Sequence, residues 1–265
     1  MLSMPQIFGD GHVLPEGETN SSLFLDTANY NVTPVILGTN RDEAKLFMML
    51  AADSINRIFG IPWSFKDEAA YERDNRYATD AWKIRGVDDI ASNLRKAQGD
   101  SVFAYRFDWD EERSIFGFDM GKALGAAHGF EIGFVFGNFR SAFGLNLYAE
   151  DGIPARDKLS DSMMSYWTEF AYNGSPGMGR DGAEVEWKPW QNGDENTDRL
   201  IIFDTDRDQG IRMAPDWLSI AKLKVTFLAD TSYATREDYC KAYKQIFRGD
   251  AFDQEEYDNL GSEGC

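Results

Sequence analysis

The chain has 265 residues, of which 43% are hydrophobic and 14% aromatic, so it can bury a sizeable core and is not a disordered tract. Its net charge of −18 excludes a nucleic-acid or anionic-membrane partner that relies on a basic surface. Two cysteines, one of them the last residue, argue against a disulfide framework and supply no zinc spacing, and no apolar run could span a bilayer.

In chain order, Gly9-Asp10-Gly11-His12 and Leu14-Pro15-Glu16-Gly17 read as turns, and the N-terminus has neither the charged nor the apolar region of a signal peptide. Thr33 to Gly38 reads as a strand buried on both faces, with Pro34 at its start. A helix is expected from about Asp42 to Phe59, on the spacing of Leu46, Phe47, Leu50 and Ile55. A second helical region follows from about Asp67 to Gln98, broken at Gly86. Ser101 to Trp109 reads as a strand in which Val102, Ala104 and Arg106 alternate with Phe103, Tyr105 and Phe107. An amphipathic helix is expected from Leu159 to Tyr172, then a long loop over 174–199, and a short strand at Leu200 to Phe203. Pro215 is expected to open one helix and Thr235 to precede another, while the acidic tail at 249–265 reads as loosely held. Strands separated by helices make the class α/β, but three strands are few for a doubly wound sheet of this length.

Two segments could carry chemistry. In Gly38-Thr39-Asn40-Arg41-Asp42-Glu43 a buried strand ends on two acids, which fits a helix cap by Asn40 and Glu43. It also fits a catalytic acid at the C-terminal end of a strand. His128 lies among small residues, Gly125-Ala126-Ala127 and Gly129, which leave its imidazole room to face a cleft as a general base. His12 reads as a turn residue. Asp204-Thr205-Asp206-Arg207-Asp208-Gln209-Gly210 approaches a calcium loop, but its glycine is one residue late and Pro215 stands at the closing position, so it reads as an acidic turn. The glycines between Gly174 and Gly182 do not join a strand to a helix and form no phosphate cradle.

Taken together, Asp10-Gly11-His12-Val13-Leu14-Pro15, the segment Val35 to Glu43 and the segment Gly125 to Gly137 resemble the type-B carboxylesterases, a family that includes cholinesterases and bacterial para-nitrobenzyl esterases. Ser165 to Pro176 and Glu186-Trp187-Lys188-Pro189-Trp190 resemble that family's late helix and tryptophan-proline motif. The resemblance implies the C-terminal portion of an α/β-hydrolase fold over residues 1–248, with Glu43 as the triad acid and His128 as the triad histidine. It implies support from Glu131 and no catalytic role for Asp42. It implies no cofactor, and a small carboxylic ester as substrate of the complete enzyme.

The family's nucleophile elbow needs G-x-S-x-G, and none is present. Gly99 to Phe103 lacks the second glycine, while Asn173 to Gly177 and Leu260 to Gly264 lack the first. The sequence is therefore read as carrying acid and base without nucleophile or oxyanion hole, inactive alone, with the N-terminal half as a missing partner. A non-catalytic interaction module and one half of a split esterase are the alternatives. Loss of central strands is expected to leave the strand at 33–38 with an open edge and the chain poorly soluble.

Overall fold

In the computed structural model, which describes residues 9–12, 16, 20–139, 146–260 and 264–265, the apolar run after Pro34 forms strand β1 (Val35–Asn40). Val13 to Pro15, Gly17 and the Gly261 to Glu263 part of the rejected serine motif lie outside these residues. The expected long helix after β1 is instead a short one, α1 (Lys45–Leu50), followed by a hairpin of β2 (Ile55–Ile58) and β3 (Ile61–Phe65). The turn Phe59-Gly60 has positive φ at both residues, 50° and 84°, the geometry of a two-residue hairpin turn. Ile55 therefore belongs to a strand, and its helical spacing from Leu50 is coincidental. β-branched residues on either side of a turn outweighed a weak period.

Helices α2 (Glu68–Lys83) and α3 (Asp89–Gln98) are joined through a π-helical turn at Ile84–Asp88. Gly86 is thus absorbed as an extra residue in a continuous rod rather than breaking it. The chain then enters β4 (Val102–Phe107), two short helices α4 (Met120–Ala123) and α5 (Glu131–Val135), and the long α6 (Ile153–Asn173). Gly174 ends α6 in the left-handed conformation, φ 72°. Strand β5 (Leu200–Phe203) turns through Asp204 to Gly210 into β6 (Arg212–Ala214), which sequence reasoning missed because three residues carry too little pattern. Helix α7 (Ile220–Leu228) begins five residues beyond Pro215, with Ser219 as its N-cap accepting from the Lys222 amide; α8 (Arg236–Ile246) is capped by Thr235 as expected.

Among the described residues the main sheet runs β1-β4-β5-β6, parallel except for β6. Its strands alternate as the sequence pattern demands. Phe103, Phe107, Ile201 and Phe203 face α6 through Leu159, Met163 and Tyr166, whereas Val102, Ala104, Leu200 and Ile202 face the π-helical turn and α3 through Val87, Ala91 and Leu94. The tryptophan-proline segment completes the β4 edge that short β5 leaves open. The Trp190 amide donates to the Val102 carbonyl at 2.7 Å, and Trp187 Nε1 donates to that of Ala104 at 3.0 Å. Burying these carbonyls without donors would cost roughly 1–3 kcal/mol each.

A second cluster joins α2 to α7 and α8 through Tyr77, Ala81, Ile84, Leu223, Phe227 and Tyr243. The tail belongs to it, contrary to expectation: helix α9 (Gln254–Asp258) buries Tyr257 there, Leu260 follows, and Cys240 is disulfide-bonded to Cys265. Its two apolar anchors are sparse enough for the acidic residues between them to mask the signal. No described helix is long and apolar enough to cross a membrane.

Candidate active site

The turn leaving β1 and the loop before α5 are laced together at the C-terminal end of the sheet. The Asp42 amide donates to the Ala126 carbonyl at 3.0 Å, and Asp42 Oδ2 accepts from the Ala126 amide at 3.2 Å. Asp42 Oδ1 accepts from Asn75 Nδ2 at 2.8 Å and pairs with Lys45 Nζ at 3.2 Å. Asp42 is thus a buried pivot. Gly125 is obligatory beside it: its φ is +50°, and a Cβ there would stand 2.5 Å from Asp42 Oδ2.

This lacing brings Glu43 and His128 together. His128 Nδ1 lies 2.6 Å from Glu43 Oε2. A carboxylate oxygen only accepts, so the ring proton sits on Nδ1 and the Nε2 lone pair is left free. The acid side chain is 6% exposed and the imidazole 44%, so a dry carboxylate aims a ring whose far edge meets solvent. The other carboxylate oxygen, Oε1, accepts from the Asn40 amide at 2.8 Å and from Thr39 Oγ1 at 3.3 Å. The reach-back of a capping box is therefore made, by one oxygen, while the other holds histidine. Asn40 does not cap with its own side chain. Its Nδ2 donates to the Ala127 carbonyl at 2.7 Å and to Glu131 Oε2 at 2.5 Å, fixing the histidine loop from below. Burial pushes the Glu131 carboxyl above its ordinary value, and the Asn40 hydrogen bond offsets part of that.

Two aromatic rings that sequence reasoning did not assign to the site pack on the imidazole. Trp82 lies 5.1 Å and Phe47 5.6 Å from it between centroids, and the two stack at 6.2 Å. Phe47 sits one helical turn beyond Glu43, a usable signal; Trp82 arrives through tertiary packing of α2 and has none. Tyr105 lies flat over Gly38, where a Cβ would come within 1.9 Å of its ring, and burial near Glu131 and Glu43 raises its hydroxyl pKa.

Other candidates stay apart. Ser101 immediately precedes β4, at the opposite strand end from His128, with its hydroxyl paired to Gln98. Ser175 follows α6, and His12 donates its amide to Asp10 in a turn. An open cavity of about 800 Å³ beside Asn40, Arg41 and Asp42 is lined by neither Glu43 nor His128. Its charges neutralise each other: Arg76 pairs with Asp230, and both Lys83 and Arg106 pair with Asp216. It is a solvated ionic groove. Among the described residues no His, Cys, Asp and Glu cluster could hold a metal ion.

The sequence model of the Carboxylesterase family matches residues 62–213. The chain belongs to that family. Among curated relatives it is 28% identical to the para-nitrobenzyl esterase of Bacillus subtilis (strain 168) over 187 residues, 65% of this chain and 34% of that one. It is 26% identical to the acetylcholinesterase of Bungarus fasciatus over 211 residues, 63% of this chain and 31% of that one. The chain thus spans about a third of the length of these carboxylesterase relatives. The crystal structure of Aspergillus niger EstA superposes with a TM-score of 0.50 at 19% identity, covering 78% of this chain and 41% of that one. The sheet and its flanking helices are accordingly part of an α/β-hydrolase fold.

Proposed function

We propose that this carboxylesterase-family chain supplies the acid and the base of a serine ester hydrolase, and that the nucleophile and oxyanion donors come from polypeptide outside the sequence. One observation carries the reading: a buried Glu43 holds Nδ1 of His128 at 2.6 Å and leaves Nε2 open. In the assembled enzyme a serine Oγ attacks the ester carbonyl, its proton passes to Nε2, and Glu43 stabilises the resulting imidazolium. The tetrahedral intermediate expels the alcohol, which takes the proton back from Nε2. Water then cleaves the acyl-serine by the same proton path.

The open edge of β1 supports a partner segment. Its amides at Val35 and Arg41 bond to Ser101 and Phe107, so by alternation those of Ile36 and Gly38 point away from the sheet. That of Asn40 is taken by Glu43, which sets where further strand pairing stops. The whole chain, its packed tail included, is assigned to this one hydrolase unit.

The test is complementation. The purified chain alone should not turn over para-nitrophenyl butyrate, and adding a polypeptide with the family's G-x-S-x-G half should restore hydrolysis. Glu43→Gln or His128→Ala should then remove it. Ester turnover by the isolated chain that disappears in His128→Ala would refute the proposal.

A further inference from the structure

Helix α2 buries polar side chains along the face that meets the site. Tyr71, Asn75 and Thr79 stand four residues apart, so they share that face, and they are only 3%, 4% and 5% exposed. Burying an amide and two hydroxyls without partners would be costly, and each is bonded to a segment that carries the proposed pair. The Tyr71 hydroxyl donates between the carbonyls of Ala123, at 2.6 Å, and Lys45, at 3.2 Å. It thus touches both the loop that leads to His128 and the turn that leaves Glu43. Asn75 Nδ2 donates to Asp42 Oδ1 at 2.8 Å, and Thr79 Oγ1 donates to Asn75 Oδ1 at 3.1 Å. The Ala44 amide in turn donates to Thr79 Oγ1 at 3.2 Å.

These last three bonds run in one direction. Asp42 as a carboxylate only accepts, so Asn75 must present its NH₂ there and its oxygen to Thr79. The Thr79 hydroxyl then has to donate to Asn75, which leaves its lone pairs for the Ala44 amide. A buried mid-helix threonine usually bonds the carbonyl four residues back; this one meets the side chain of that residue instead. The relay therefore begins at Asp42 and ends at Ala44, the two neighbours of Glu43. Every member is buried within this chain, so its geometry does not await a partner.

We infer that Thr79, acting through the Ala44 amide and with Asn75 behind it, is a positioning residue for Glu43. The Asn40 amide and Thr39 hydroxyl set the rotation of the carboxylate; the α2 relay sets where its stem starts. Its place in catalysis rests on the ester-hydrolase reading; the positioning of Glu43 against His128 does not.

The test reads the imidazole rather than stability. In the whole chain, nitrogen-15 spectra recorded above the ordinary imidazole range give the tautomer of each of the two histidines. Thr79→Val keeps the branched shape and removes the hydroxyl. His128 should pass from an Nδ1-protonated ring to a mixture of both tautomers, with His12 unchanged. Thr79→Ser returns the hydroxyl and should return the native ring. With the serine-bearing half added, Thr79→Val should lower kcat about 10- to 100-fold, the loss that a displacement of about 1 Å can cause, and leave KM unchanged. A threonine that merely packs would lower the melting temperature and leave tautomer and kcat alone. That outcome overturns the inference, as would a serine variant no better than valine. Should Thr79→Val not fold, the native chain still decides: an amide held by a buried hydroxyl exchanges slowly, and an Ala44 amide exchanging as fast as an exposed loop amide would overturn it. If Glu43→Gln shifts the ring and Thr79→Val does not, only the positioning role falls. If the tautomer shifts in both but the serine-bearing half restores no hydrolysis, the ester-hydrolase reading falls and the positioning of Glu43 stands.

Discussion

Glu43→Gln separates the two duties of one carboxylate. The amide keeps the shape of the side chain, and its oxygen can still accept from the Asn40 amide now held at 2.8 Å. Its NH₂ then faces His128 Nδ1 across a gap of 2.6 Å in the native chain, and a donor there forces Nδ1 to become the acceptor. The ring proton moves to Nε2 and the base is lost. Trading a buried charged hydrogen bond for a neutral one should cost about 2 kcal/mol of stability. Glu43→Ala should cost about 4 kcal/mol, because it also orphans the Asn40 amide. In an assembled enzyme the wrong tautomer should lower turnover about 10⁴-fold. The assay needs no activity: with only two histidines in the chain, nitrogen-15 spectra recorded above the ordinary imidazole range report each tautomer directly. His128 should carry its proton on Nδ1 in the native chain and on Nε2 in Glu43→Gln, with His12 unchanged. A native His128 protonated on Nε2, or no change on substitution, would refute the assigned roles.

Four further outcomes follow from the fold. Gly125→Ala should lose about 3 kcal/mol, combining a left-handed alanine with displacement of the Asp42 carboxylate, and lower the melting temperature on the order of 10 °C. A melt within 2–3 °C of native, about what 1 kcal/mol is worth, would mean that Asp42 can yield. Burial raises the Asp80 carboxyl from its ordinary 3.8 to about 6, against the opposing pull of Lys83, so its folded form prefers the proton. Its contribution to stability is full below pH 3.8 and lost as pH rises through about 6. Asp80→Asn should therefore stabilise by up to about 3 kcal/mol at pH 7.5 and leave denaturant midpoints unchanged below pH 4; stabilisation at both would contradict the burial argument. Reducing the Cys240–Cys265 bond, which closes a separation of 25 residues, should cost about 2–4 kcal/mol and speed amide exchange first in α9. With β1 open at its outer edge, the isolated chain should self-associate with concentration in light scattering despite its charge; a monodisperse monomer would count against an unfilled sheet.

What could be read in advance tracks how local each cause is. The alternation in Val102 to Phe107 named the two faces of β4 because strand periodicity is a nearest-neighbour property. Caps at Thr235 and the stop at Gly174 were legible for the same reason. The hairpin at 55–65 was not, because its turn places a phenylalanine where the usual signal is Asn-Gly. The disulfide and the packed tail were not, because they depend on where α8 and α9 meet in space. At the candidate site, the pair Glu43 and His128 was proposed from motif resemblance, whereas Trp82, Asn75 and the lacing role of Asp42 come from elements far apart in sequence.

The segment Gly38 to Glu43 fits two readings, a cap or a catalytic acid. The geometry lets one carboxylate serve as the cap and as the proposed acid. A carboxylate with both oxygens committed cannot rotate: Oε1 is held by the Asn40 amide and Thr39 hydroxyl, so Oε2 has a single direction in which to meet His128. The same bond takes the Asn40 amide out of pairing at the open edge of β1, at the strand end where the proposed site lies. A catalytic acid that merely hung from the strand would have to be ordered by the histidine it is meant to orient. Here the backbone orders it first, which is why breaking the cap should disturb the histidine tautomer even where the acid itself is kept.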